Sequence, residues 1–339
     1  MARGKNIKIN FPLINTHTHA AMTAFRGMAE DLPLKDWLEK YIWPAEKEKV
    51  RPEFVYKNTK EAIQEMKRNG IKVFNDMYFF SEEVARAAEE EKIMAVVGEV
   101  ILDFPTNSAE TPEEALQKTE KLILKYKNNP FISVAAAPHS IYALSEKWLV
   151  EAKNLARKYG VLYHIHLSET KKEFDDCAAK TGLTPVGYMN KLGLLDDKTI
   201  LAHCVWLADE DMDILSKTKA NVSHCPLSNL KLGSGIAPIS KMLEKGVNIC
   251  LGTDGAASSN RLDIWEAGKF AALLQKGITN DPSKISAKDV MEMMSVNGLK
   301  ALGISEFEGK GVAEMKNEIE NSGDFSQLYE LGSGEIDFH

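Results

Sequence analysis

The segment Ile93-Met94-Ala95-Val96-Val97-Gly98-Glu99-Val100-Ile101 is followed by Thr111-Pro112-Glu113-Glu114 and then by Ile132-Ser133-Val134-Ala135-Ala136-Ala137-Pro138, and this stretch decides the fold class. Both outer runs are apolar on successive residues, not on every second one, which is the pattern of strands buried on both faces of a parallel sheet. Residues 112–128 between them carry helical periodicity. Thr111 offers a cap, Pro112 a preset first-turn φ, and Glu113 and Glu114 a favourable charge at the helix N-terminus. Strand, helix, parallel strand is the repeating unit.

The same unit recurs in both directions. Strand-like runs are expected at 8–15, 71–77, 93–101, 132–138, 161–166, 199–204, 220–224 and 247–252, with amphipathic segments between them at 52–69, 112–128, 146–159, 209–217 and 263–276. Eight strands, each followed by a helix, make a (β/α)8 barrel, with an open doubly wound sheet as the competing arrangement. Residues 8–304 are read as the barrel and 305–339 as an acidic C-terminal segment, a capping helix at 312–320 followed by a loosely attached tail; nine acids face two lysines there.

Composition narrows the function classes. With 339 residues, 44% hydrophobic and 27% charged, the chain has enough apolar content for a core and is no disordered tail. A net charge of −7 argues against nucleic acid or an anionic membrane as partner. No apolar run approaches the roughly 18 residues of a membrane span, and residues 1–10 are too polar for a signal peptide. Cys177, Cys204, Cys225 and Cys250 form neither a disulfide framework nor a metal clip. A cytoplasmic protein is expected, with a homo-oligomer compatible with the reading.

Seven of the eight histidines lie at or near the C-terminal ends of expected strands: His17, His19, His139, His164, His166, His203 and His224. Barrel active sites are assembled at that face. In a strand, residues i and i+2 share a side, so His17 and His19 reach one point. The fifth strand adds His164 or His166, which spacing alone does not separate, and the eighth adds Asp254 in Gly252-Thr253-Asp254-Gly255. Three imidazoles and a carboxylate suit one divalent ion, zinc above all, with a position left for water. The Met291-Glu292-Met293-Met294 cluster reads as helix packing, and Gly233-Ser234-Gly235 as a mobile turn beside the pocket.

This quartet, with Asn15-Thr16-His17-Thr18-His19-Ala20, His203-Cys204, Ser223-His224-Cys225-Pro226 and Gly252-Thr253-Asp254-Gly255-Ala256-Ala257-Ser258, resembles the amidohydrolase superfamily. Within it, the nearest match is the branch of methylthioadenosine/S-adenosylhomocysteine deaminases and chlorotriazine hydrolases. The resemblance runs from about Pro12 to Ile304. It implies a distorted barrel with one zinc on His17, His19, His166 and Asp254, His166 being chosen because the ligand stands three residues before the glutamate. His164 is then a packing or supporting residue. The family's flanking β-sandwich is expected to be absent, because the chain starts almost at the first strand and shows no recognisable second half after Ile304.

The resemblance also implies roles. Asp254 is the general base for the attacking water, Glu169 the acid that protonates a ring nitrogen, and His203 the group that orients the water and stabilises developing charge. The connection 22–50 is long and specific in composition. It carries Trp37, implied to pack on the substrate, and Glu46, implied to bind ribose hydroxyls. His139 is implied as a further nucleoside contact and Ser258 as a contact to the purine edge. Val97–Asp103 contains no arginine of the kind implied for the amino-acid end of S-adenosylhomocysteine. The expected activity is hydrolytic deamination of an adenine nucleoside (methylthioadenosine, 5′-deoxyadenosine, adenosine or a similar 5′-modified adenosine) to its inosine counterpart and ammonia. The alternatives are a deaminase or dechlorinase of another N-heterocycle (guanine-like, triazine, aminofutalosine) and a metal-binding barrel without turnover.

Overall fold

A computed structural model describes residues 8–9, 11–321, 327–330 and 337–338. Eight parallel strands stand in sequence order: β1 Leu13–Thr18, β2 Ile71–Tyr78, β3 Met94–Ile101, β4 Ile132–Pro138, β5 Leu162–Leu167, β6 Thr199–His203, β7 Asn221–His224 and β8 Asn248–Leu251. Nearly all their residues are buried, as the unbroken apolar runs require. Helices such as Pro52–Arg68, Pro112–Tyr126, Glu146–Tyr159, Asp209–Thr218 and Ile264–Thr279 surround them, giving the (β/α)8 architecture.

The first strand differs from expectation. The run 8–15 divides, because Pro12 has no N–H to give a ladder. The barrel strand starts after it, at Leu13, and continues to Thr18. Lys8–Ile9 instead pairs in parallel with Asp337–Phe338.

β8 and β1 meet at a seam held largely by polar side chains. The Asp254 N–H donates to the His17 carbonyl at 3.0 Å. Thr16 Oγ1 donates to the Leu251 carbonyl at 2.8 Å, and Asn15 Nδ2 to Thr253 Oγ1 at 2.8 Å. Below them, Asn297 on the helix Val296–Ala301 donates to the Ile249 carbonyl at 3.0 Å. Gly252 has to be glycine at this crossing: a Cβ there would lie 2.7 Å from Ser223 Oγ and 2.8 Å from His17 Cβ.

After the barrel, Glu306–Phe307 and Lys310–Gly311 form a short hairpin. The helix Val312–Asn321 then packs buried Met315 and Ile319 towards the helices Ala287–Met294 and Val296–Ala301. The acidic tail expected beyond it lies largely outside the described residues. Its described parts are the turn Gln327–Glu330, which packs against Ile264–Thr279 through buried Leu328, and the pairing at Asp337–Phe338.

The long connection 22–50 folds over the barrel mouth. A 3-10 turn, Ala20–Phe25, leads to Leu34–Trp37, a π turn at Leu38–Ile42 and the helix Trp43–Lys49, which together form one interrupted helix. π turns of this kind widen a helix and recur at functional sites.

Candidate active site

β1, β5 and β8 bring His17, His19, His166 and Asp254 together at the barrel mouth. His17 Nε2 lies 3.5 Å and His19 Nε2 3.2 Å from Asp254 Oδ1, and His166 Nε2 lies 3.3 Å from His19 Nε2. A tetrahedral ion with arms near 2.1 Å spaces its ligand atoms by about 3.4 Å. The three observed separations match that spacing.

The outer nitrogens show which lone pairs face inward. His19 Nδ1 donates to the Met77 carbonyl at 2.5 Å, and His166 Nδ1 to the His139 carbonyl at 2.8 Å. His17 Nδ1 lies 2.9 Å from His164 Nε2, and His164 in turn lies 3.2 Å from Asn75 Nδ2. Backing contacts of this kind fix ring orientation and tautomer in metal sites. His17 Nε2 is fully buried and has no hydrogen-bond partner among the described residues. His17, His19 and Asp254 offer ligand atoms that all lie within 4.8 Å of one another, as do His17, His166 and His203, and a divalent cation is the group that satisfies such a set. The residues fit a metal. Spacing left His164 and His166 equivalent; the structure places His166 in the cluster and His164 behind His17.

The local backbone aims these groups at the cavity. Ser168, His203, Cys204 and Asp254 all have positive φ, between 47° and 77°. Such non-glycine conformations are strained and gather at functional sites. Asp254 Oδ2 accepts from Ser228 Oγ at 2.5 Å and Ser258 Oγ at 2.9 Å, while Oδ1 accepts from the Gly255 N–H at 2.7 Å. Ser258 therefore lines the pocket with its hydroxyl turned onto Asp254.

Glu169 and His203 face the same cavity, with His203 Nε2 3.8 Å from Glu169 Oε2. His203 Nδ1 donates to Asn229 Oδ1 at 2.8 Å. Burial raises the Glu169 pKa, with His203 opposing and Asp254 adding to the rise. Burial also acts to raise Asp254, but the His17 and His19 imidazoles outweigh it and hold that carboxyl well below its ordinary range. Two carboxyls in one pocket are thus pushed apart in acidity, the arrangement that separates an acid from a base. Glu173, on the helix Lys171–Thr181, accepts from the Ser168 and Glu169 N–H groups at 2.8 Å each and fixes the turn that presents Glu169.

The outer half of the cavity is lined by Trp37, Leu38, Trp43, Glu46, Tyr78, Phe79, Val100, Leu102, His139 and Tyr142, with no lysine or arginine among its described lining residues. Glu46 is buried, and Tyr78 OH donates to its Oε1 at 2.7 Å. Burial pushes the Glu46 pKa up to about 7, against the Tyr78 hydrogen bond and the His19 charge. The His139 ring lies 4.7 Å from that of His166.

Several contributors escape sequence reasoning. Ser228 sits just beyond Ser223-His224-Cys225-Pro226, and that phrase was the available signal. Ser234, in the glycine-flanked turn read as mobile, is buried and donates to Glu169 Oε1 at 3.2 Å. Tyr78 had no local signal. His224 is buried on β7, with Nδ1 unpaired among the described residues. All four cysteines are free and buried. No described helix is long and apolar enough to cross a membrane.

Comparison with known proteins places the chain in a family. The chain is 49% identical over 291 residues to a 5-methylthioadenosine/S-adenosylhomocysteine deaminase of Thermodesulfovibrio yellowstonii, covering 86% of this chain and 66% of that protein. It is 46% identical over 305 residues to a 5′-deoxyadenosine deaminase of Methanocaldococcus jannaschii, covering 89% and 72%. The chain thus spans about two thirds of the length of these relatives. The crystal structure of an adenosine deaminase from Xanthomonas campestris with bound zinc superposes with a TM-score of 0.90 at 34% identity, over 96% of this chain and 77% of that one. The amidohydrolase family model matches residues 12–310, and the chain belongs to the amidohydrolase family.

Proposed function

We propose that the chain is a zinc-dependent aminohydrolase that converts an adenine nucleoside and water to the inosine counterpart and ammonia. The observation that carries this is a pair of buried carboxyls facing one cavity, Glu169 beside His203 and Asp254 beside His17 and His19, next to the inward imidazole nitrogens. A metal-binding protein without turnover has no need of the first. Relatives at 42–49% identity that bear 5′-deoxyadenosine and methylthioadenosine/S-adenosylhomocysteine deaminase names support the substrate class.

His17, His19, His166 and Asp254 would hold the ion. When bound, it supplies a water whose pKa is lowered from about 15.7 towards 7. The remaining chemistry belongs to the chain. Glu169, its pKa raised by burial, donates a proton to the ring nitrogen next to the carbon that bears the amino group, making that carbon electrophilic. Asp254 accepts the proton of the attacking water. His203, whose Nδ1–H is held by Asn229 Oδ1, turns its Nε2 lone pair to the attacking water and orients it. The carbon–nitrogen bond then breaks, the amino group leaves as ammonia with the proton Asp254 received, and the proton still on the new hydroxyl oxygen returns to Glu169 as the carbonyl forms. Trp37, His139 and Ser258 line the ring and sugar, and Glu46 accepts the two ribose hydroxyls, which a carboxylate suits.

The wall of Trp43, Phe79, Val100 and Leu102, without a cation among the described lining, supports a 5′-deoxy or 5′-methylthio group over a charged one. A small metabolite as substrate suits a cytoplasmic enzyme. Ammonia release from adenosine, 5′-deoxyadenosine, 5′-methylthioadenosine, guanine and a chlorotriazine tests the assignment. Turnover of at least one adenine nucleoside above the other rings is expected. Preferential turnover of guanine or the triazine overturns it.

A further inference from the structure

Glu46 is the charged group of the outer pocket, yet it sits on the one wall that no barrel strand carries. Its helix, Trp43–Lys49, has seven residues, and a helix of that length is marginal in isolation. What holds its carboxylate is supplied from two other places.

The first is β2. Tyr78 is 3% exposed, and its OH occupies Glu46 Oε1 at 2.7 Å. Glu46 Oε2 has no hydrogen-bond partner among the described residues and is the oxygen left for a ligand. The second is the loop after β3. Asn107 Nδ2 lies 2.9 Å from the Glu46 carbonyl, 3.0 Å from that of Lys47 and 2.9 Å from that of Val50. These are carbonyls at the C-terminal end of the helix: that of Glu46 also accepts from the Val50 N–H at 2.9 Å, while those of Lys47 and Val50 lack a backbone donor within the helix and share Asn107 with the Arg51 side chain, at 3.3 and 2.6 Å. The Asn107 loop is itself tied to the barrel. Buried Glu99 on β3 accepts from Ser108 Oγ, from the Ser81 N–H at 2.8 Å and from Ser81 Oγ at 2.7 Å.

We propose that Tyr78 and Asn107 are positioning residues for sugar recognition: Tyr78 fixes which Glu46 oxygen meets a vicinal diol, and Asn107 clamps the helix that carries it. The proposal rests on the reading of Glu46 as the ribose contact. A carboxylate that must accept two hydroxyls at once needs its plane and depth set, and small displacements at such groups lower rates out of proportion to their size.

The test is the ratio of kcat/KM for adenosine to kcat/KM for 2′,3′-dideoxyadenosine, measured on the zinc-loaded full chain. Tyr78→Phe should lower this ratio about tenfold, chiefly through KM for adenosine, as loss of a hydrogen bond to a charged group does. Asn107→Asp keeps the shape but removes the donor, and should lower the ratio in the same direction. Glu46→Ala is the reference. In that background neither change should lower the ratio further, because all three act through one carboxylate. If Glu46→Ala leaves the ratio unchanged, the diol reading fails and the proposal falls with it. If Glu46→Ala collapses the ratio while Tyr78→Phe and Asn107→Asp leave it intact, the reading stands and the positioning roles are overturned. Zinc content measured alongside separates a folding defect: a variant that loses metal and both activities together, with the ratio unchanged, also counts against the proposal.

Discussion

The two walls of the pocket are built by opposite means. On the metal side, His17, His166, His203 and Asp254 lie on barrel strands or the residue turns that end them, and each ring or carboxyl is backed by a neighbour of the same barrel. On the side proposed to hold the sugar, Trp37 and Glu46 ride on an interrupted helix outside the barrel, held by hydrogen bonds to β2 and to the β3 loop. The first wall has precision inherited from a sheet that also forms the core. The second has precision that depends on a few contacts and can change without disturbing the chemistry. On the proposed function, catalysis and substrate specificity fall on parts of the fold with different freedom to vary.

This contrast can be broken by mutation. The largest effect is expected at the strand wall. His166→Ala removes an inward nitrogen, so elemental analysis should find zinc reduced to traces and ammonia release abolished. Retention of stoichiometric metal would place the ligand elsewhere. Glu169→Gln should keep the metal and lose about 10²- to 10⁴-fold in turnover, the range of general acid catalysis. Near-normal turnover would remove Glu169 from the reaction. His164→Ala comes next. It withdraws the ring behind His17 and should weaken zinc affinity about 10- to 100-fold in a chelator competition, the scale for residues that orient a ligand. An effect as large as that of His166→Ala would mean that the two rings are not in different layers.

The smallest expected effect belongs to the helix wall and has the opposite sign. Glu46 has its pKa raised to about 7 by burial, so the folded chain binds that proton more tightly than the unfolded chain does. Stability therefore falls as pH rises from the ordinary glutamate range towards 7, and stays lowered above it. Glu46→Gln removes the titration while keeping an acceptor for Tyr78. Thermal unfolding should show the variant more stable than the parent at pH 8 and not at pH 4. An equal shift at both pH values would assign the change to packing.

The same division explains how much of the molecule is legible in its sequence. The strand wall was legible because its signals are local. His17 and His19 follow the two-residue period of a strand, and Asp254 lies in a compact Gly-Thr-Asp-Gly phrase. The barrel was legible for the same reason, down to β4, whose expected bounds match those observed. The first strand starts later than the apolar run suggests, at Leu13, because Pro12 has no N–H to give the ladder. The helix wall was less so. Trp37 and Glu46 could be named by resemblance, but Tyr78 is 32 residues from Glu46 and Asn107 about 60 from the carbonyls it contacts. No periodicity links residues so far apart, and Asn107 in Pro105-Thr106-Asn107-Ser108 reads as an ordinary loop asparagine. The glycine-flanked turn at Ser234 misled in the same way, since glycine reports backbone freedom and says nothing of a buried hydroxyl's partner.

The π turn at Leu38–Ile42 has a consequence for how this wall can diverge. A π turn accommodates one more residue than an α turn, so it is where a helix absorbs an insertion. The wider turn spreads that extra residue over nearly the same rotation, so deleting one residue from it would let the helix run straight from Leu34 to Lys49 with Trp37 and Glu46 still turned to the cavity. The same deletion between the turn and Glu46 would swing the carboxyl away by about 100°, the advance of one α-helical residue. The turn is thus the place where this wall can lose or gain a residue while both side chains keep their aim.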